Sequence, residues 1–314
     1  MGRRFAAPVV ALLAGTPAAA PAQAGDAYVV SQEGGVVTRI DVAAGRVAAM
    51  IPVGPGPAGI APGPDGRLYV THPDHRLISV IDAAAGRVVA RLPHAGTPFG
   101  IAVAPAGDVL FVGDWVRHEV ARLDARTGAP VGAPVPVQDP AGLVLDRAGG
   151  RLYVAEREQR RVVVIDARAL RVLGAVPTGE GPFALALSPD ETRLYVANVR
   201  SRDLTVIDTG TLRPLATVAV GPMPYGVAPT PDGRFVVVSN QQAGTVSIVD
   251  AATLAVAGEV AVGRYPEGVL AVAADRVAVA NWFSGDLSLV DPAARREVAR
   301  LGLAEGPRSL AGAP

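Results

Sequence analysis

Residues 182–221 read PFALALSPDETRLYVANVRSRDLTVIDTGTLRPLATVAVG. Four apolar phrases are visible: PFALALS, RLYVAN, DLTVID and PLATVAVG. They are rich in β-branched residues, and the first ends in Pro189-Asp190, a turn signal. None of the four alternates cleanly between apolar and polar. That pattern suits strands covered on both faces.

The phrase recurs along the chain. Aspartates close the third strand at Asp41, Asp82, Asp124, Asp166, Asp208, Asp250 and Asp291, in steps of 41, 42, 42, 42, 42 and 41 residues. Prolines open the first strand at Pro57, Pro98, Pro140, Pro182, Pro224, Pro266 and Pro307, with the same steps. Two independent markers therefore give seven units. A period near 42 with four short strands predicts a β-propeller blade and not a helical solenoid. The expected fold is all-β, a seven-bladed β-propeller over residues 25–314 with four antiparallel strands per blade. Residues 27–54 supply only strands two to four of blade 1. The chain ends in PRSLAGAP, a first-type strand without successors. Docking that C-terminal strand into the N-terminal blade closes the ring and removes its free edge.

The phrases LYVAN, LTVID, VAVG and PYGVAPTPDG resemble the YVTN-type β-propeller repeat (WD40/YVTN-like) of exported bacterial and surface-layer proteins. The resemblance covers essentially all of residues 26–314. It implies a fold and not a reaction, because one fold hosts many functions.

Ahead of the repeat, Arg3 and Arg4 precede a short apolar stretch, Phe5–Gly15, and Ala22-Gln23-Ala24 forms a small-x-small site. This order predicts a cleavable signal peptide over residues 1–24 and a periplasmic or secreted protein. The paired arginines leave both the general and the twin-arginine routes open. The chain has no cysteine and no lysine, so all 29 basic residues are arginine. Without Arg3 and Arg4, 27 arginines face 29 carboxylates. That balance argues against a broad nucleic-acid surface. No later stretch is long and apolar enough for a membrane span. A monomer is expected, with an exported protein or a small ligand as partner.

The seven aspartates are read as scaffold, accepting hydrogen bonds from turn N–H groups. The second-strand aromatics Tyr28, Tyr69, Phe111, Tyr153, Tyr195 and Phe235 are read as packing between blades. The sixth position of each second-to-third-strand segment holds Ser31, His72, Asp114, Glu156, Asn198, Asn240 and Asn281. Asparagine suits the end of a strand, and blades 2 to 4 depart from it. All four histidines fall on the same loop face, called upper here: His72 and His75 in blade 2, His94 on the link to blade 3, and His118 in blade 3. They are expected to be solvated.

Equivalent positions on neighbouring blades lie about 10 Å apart. His72, Asp114 and Glu156 therefore do not share one ion. No cofactor is expected, and His94 and His118 are the pair to consider for a divalent metal. The remaining aromatics, Phe99, Trp115, Phe183, Tyr225, Tyr265, Trp282 and Phe283, map to the upper face with Arg117, Arg157, Arg200, Arg264 and Arg308. Aromatics with arginine are the composition of binding surfaces. No phosphate loop, zinc-protease helix, haem-attachment motif or nucleophile elbow is present. The residues thus favour a binding or protein-interaction module using the upper face. The alternative is an enzyme or its accessory. It would be a lactonase-like metal-assisted hydrolase or an oxidoreductase accessory propeller, with Asp114, Glu156, Asn198 and the histidines as its site.

Overall fold

The structure is a computed structural model and describes residues 25–314; the leader read at residues 1–24 lies outside the described residues. Seven four-stranded antiparallel sheets follow one another around a central axis. Blade 5 is typical: Pro182–Leu187, Arg193–Asn198, Asp203–Asp208 and Arg213–Ala219, paired in that order. Blade 1 is completed by Pro307–Gly312, which pairs with Ala27–Ser31 in the register Tyr28 to Ala311 and Val30 to Ser309. The first and last segments of the repeat thus share one sheet.

The absence of clean alternation now has its cause. Successive side chains of a strand point to opposite faces, and here each face meets a neighbouring blade. In blade 5, Leu194 and Val196 enter the core shared with blade 4, beside Tyr153 and Val164. Tyr195 and Ala197 enter the core shared with blade 6, beside Val236 and Val238. Both faces are dry, so both periods are apolar.

The aspartate ladder is built as read. In each of the seven turns one carboxylate oxygen accepts a backbone N–H three residues on, from Ala44, Ala85, Thr127, Ala169, Thr211, Thr253 and Ala294 at 2.6–2.9 Å. The outer strand of blade 3 is reduced to Val135–Pro136. Pro130, Pro134 and Pro136 lack the N–H that a full ladder needs. Among the described residues no helix is long and apolar enough to cross a membrane.

The inner strands carry Gly59, Gly100, Gly142, Gly226 and Gly268 two places after the marker proline. A Cβ on Gly59 would stand 2.5 Å from the Phe99 carbonyl oxygen, and one on Gly100 2.6 Å from that of Ala141. At Gly142, Gly226 and Gly268 the neighbouring carbonyl is closer still. Glycine lets adjacent first strands approach this closely, and it is their approach that makes the axial channel narrow.

Candidate functional site at the axial mouth

Two rings of side chains surround the upper end of the channel. The inner ring is the residue after the marker proline: Arg308, Ala58, Phe99, Ala141, Phe183, Tyr225 and Glu267 in blades 1 to 7. The outer ring is the residue after the hairpin's sixth position: Gln32, Pro73, Trp115, Arg157, Val199, Gln241 and Trp282. Each ring takes one residue per blade, so the seven-fold repeat itself brings them to the axis.

The aromatic members touch. Phe99 and Trp115 stack at 4.8 Å between ring centroids with planes 23° apart. Phe183 lies 6.1 Å from Phe99, edge on, and 4.2 Å from Tyr225. Arg157 sits over Trp115 at 5.7 Å and over Phe183 at 6.0 Å. Its buried Nε has no hydrogen-bond partner. Arg308 lies between Phe99 at 5.6 Å and Trp282 at 5.2 Å. Such contacts place two cations against ring faces. Arg308 also donates to the Tyr225 hydroxyl at 2.8 Å and to Gln32 Oε1, and its Nε lies 3.3 Å from Glu267 Oε2. Gln241 Nε2 donates to Glu267 Oε1 at 2.9 Å. Burial pushes the Tyr225 phenol well above its ordinary value. Burial also pushes the Glu267 carboxyl up to about 7, against the pull of Arg308 and the Gln241 hydrogen bond. An open channel of about 240 Å³ runs in from the inner ring, lined by Phe99, Phe183, Tyr225 and Arg308 and by the strand residues that follow them.

Of the residues singled out in the sequence, Phe99, Trp115, Arg157, Phe183, Tyr225, Trp282 and Arg308 converge here. The others do not. His72, Asp114 and Glu156 are corrected from partner-facing loop residues to buried anchors, each at most 2% exposed. His72 bonds the Pro55 carbonyl and Ser79 Oγ, both at 2.9 Å. Asp114 accepts from the N–H groups of Thr97, Val116 and Arg117. Glu156 accepts from Gln138 N–H and pairs with Arg161. In the later blades Asn198, Asn240 and Asn281 do the same work: Asn198 Nδ2 donates to Asp203 at 2.6 Å and Thr205 at 2.8 Å. The physical reason is the period of a strand. The sixth residue turns into its own blade, and the seventh turns to the axis.

His94 is likewise buried, not solvated, with Nε2 3.2 Å from Asp114, and burial lowers its pKa. His118 is exposed, 3.3 Å from Asp139. The candidate metal pair thus has separate partners, and no group of three or more potential ligands occurs among the described residues. His75 and Arg117 are exposed on the rim, Arg117 paired with Glu119 at 2.7 Å. Tyr265 and Phe283, members of neither ring, contact each other at 4.5 Å between centroids with planes 48° apart. Glu267, Gln241 and Gln32 were missed in the sequence. Their signal was available in the two columns next to the repeat markers.

The comparisons fall on this geometry. Residues 150–283, less than half of the chain, match the family described as cytochrome D1 heme domain. A search of curated proteins finds no match. Among solved structures, the chain is similar to hydrazine synthase of Kuenenia stuttgartiensis, with a TM-score of 0.74, 17% identity, and 90% of this chain and 99% of that one covered. It is similar to a functionally unknown protein of Desulfotomaculum acetoxidans, with a TM-score of 0.78, 14% identity, and 92% and 99% covered. It is also similar to dihydro-heme d1 dehydrogenase NirN in complex with DHE, with a TM-score of 0.71, 16% identity, and 96% and 78% covered. At these identities the likeness is one of fold: the chain is a seven-bladed β-propeller of the architecture those proteins share.

Proposed function

We propose that the protein is an accessory propeller of exported redox chemistry that binds a planar, carboxylate-bearing organic molecule at its axial mouth. The observation that carries this reading is the convergence of five aromatic rings and two arginines on one channel end. Flat faces accept a conjugated ring, and arginine forks pair with carboxylates. The segment matching the cytochrome d1 haem domain supplies Arg157, Phe183, Tyr225, Gln241, Glu267 and Trp282 of the rings. A tetrapyrrole is the ligand class these features favour.

An iron held by the protein does not fit. Haem iron takes histidine, cysteine, methionine or tyrosinate. The two rings contain none of the first three, Met223 beside them is packed into the aromatic cluster, and Tyr225 is kept protonated by burial and bound to Arg308. The described histidines lie elsewhere, as given above. The reading is therefore of a carrier or accessory and not of a haem enzyme, and no redox step is assigned to these residues. The channel's 240 Å³ is also below the roughly 300–1,000 Å³ usual for ligand clefts. The ring of such a ligand would therefore rest on the aromatic rings, with its acidic arms towards the arginines. The resemblance to YVTN-type repeats and the leader expected from the sequence of residues 1–24 support an exported setting.

The test uses the chain's two tryptophans, Trp115 and Trp282, both in the outer ring. Titration with a metal-free porphyrin dicarboxylate is expected to quench their fluorescence to saturation. Arg157→Met is expected to weaken that binding about tenfold, through loss of one charge-assisted pair. Absence of saturable quenching, or equal affinity in the variant, would overturn the reading.

A further inference from the structure

Glu267 is the one carboxyl of the inner ring, and only 5% of the residue is exposed. It reaches the axis by the same strand position as Phe183 and Tyr225, with the desolvation that position imposes. The corner it occupies has too many acceptors. Gln241 gives Glu267 Oε1 its amide proton, but Glu267 Oε2 and Gln241 Oε1 are both buried without a hydrogen-bond partner. Arg308 does not repair this. Its Nε stands 3.3 Å from Oε2 without forming a hydrogen bond, while its other nitrogens are committed to Gln32 and Tyr225. A proton on Oε2 supplies the donor this corner lacks. Arg308, with a side chain 13% exposed and lining the channel, would then carry a positive charge facing open space.

We propose that the mouth takes up a ligand carboxylate together with one proton: the carboxylate pairs with Arg308, and the proton, drawn from solvent, goes onto Glu267. The proposal rests on the axial mouth being the ligand site and adds how that site is controlled. With Glu267 ionised, an incoming carboxylate meets a like charge beside Arg308. With Glu267 protonated, that repulsion is gone and the guanidinium is the nearest charge. The charged and titratable groups facing Glu267 are Arg308 from the closing strand and Tyr225 from blade 6, beside the neutral Gln241; Arg157 of blade 4 acts in turn on Tyr225. Linkage makes the effect mutual, so a bound carboxylate strengthens proton binding as much as the proton strengthens carboxylate binding. Glu267 is already poised near neutrality, at about 7.

The probe is 2-naphthoate, a flat ring with one carboxylate that stays ionised from pH 6 to 8. Its affinity for the whole protein, read by tryptophan quenching, is expected to weaken roughly tenfold from pH 6 to pH 8, as binding to the protonated form requires. Calorimetry at pH 8 in buffers of different ionisation enthalpy is expected to show close to one proton taken up per ligand. Glu267→Gln, which mimics the protonated acid in shape and charge, is expected to hold the pH 6 affinity at both pH values with no proton uptake. Binding of equal strength at both pH values in the unsubstituted protein overturns the proton link and leaves the mouth as a ligand site. A pH slope that survives in Glu267→Gln places the titration elsewhere and also overturns it. Failure of naphthoate to bind at any pH overturns the proposal, while the porphyrin titration then decides separately whether the mouth binds larger planar ligands.

Discussion

Single residues in this chain divide by which way one strand position turns. Asn198 is fully buried and holds Asp203 and Thr205 through Nδ2. Asn198→Ala removes that donor from both, although Thr205 Oγ1 keeps the Gly179 N–H at 3.2 Å and Asp203 is half-buried. A loss of about 1–3 kcal/mol is expected, measured by denaturant unfolding, as the net worth of two hydrogen bonds of which one is to a carboxylate. Unchanged stability would mean the anchor is dispensable. The turn aspartates make a different contribution, set by pH. Hydrogen bonds from Thr127, Ala169, Thr211 and Thr253 hold Asp124, Asp166, Asp208 and Asp250 below their ordinary values. A carboxylate depressed in the folded state gives stability above its unfolded pKa of about 4, lost as pH falls through the folded value. The melting temperature is thus expected to fall between about pH 4 and pH 2. In Asp208→Asn part of that acid dependence should vanish; an identical acid limb would contradict the role.

At the scale of a strand, two features of the repeat are open to test. The closing strand Pro307–Gly312 is the innermost strand of blade 1 and carries Arg308 into the mouth. Truncation after Gly306 leaves Ala27–Ser31 as an unpaired edge and removes the inner wall of one blade. The truncated protein is expected to melt lower and to bind no carboxylate. A truncated form with unchanged melting would disprove the closure as a stabilising device. The glycine that follows the inner ring is the second feature. Gly226→Ala sets a Cβ against the Glu267 carbonyl oxygen, which is backbone and cannot turn aside. A destabilisation of about 1–3 kcal/mol is expected, as for overpacking. Gly302→Ala, where nothing lies within 4 Å, is the control and should cost little.

Across the molecule, the mouth joins blades that are far apart in sequence. Arg308 touches Gln32 of blade 1, Tyr225 of blade 6 and Glu267 of blade 7, and lies over the Phe99 ring of blade 3 at 5.6 Å. A ligand bound there bears on ring closure itself. At a ligand concentration of 100 Kd the whole ring should gain ~2.7 kcal/mol and melt in a single shifted transition. A shift confined to one of two transitions would show that the blades do not share the gain. What could be read without coordinates was whatever repeats: blade count, closure by the last strand and the aspartate ladder follow from spacing, since each unit must bury two faces against like neighbours. The departures from the repeat in blades 2 to 4 misled, because His72, Asp114 and Glu156 stand one residue before the axis. Their burial depends on which face a strand end presents, and only the closed ring defines a face. Glu267, Gln241 and Arg308 are each an ordinary polar residue in its own blade. They become one buried cluster because closure brings blades 1, 6 and 7 around one axis and removes the water that would otherwise separate their charges.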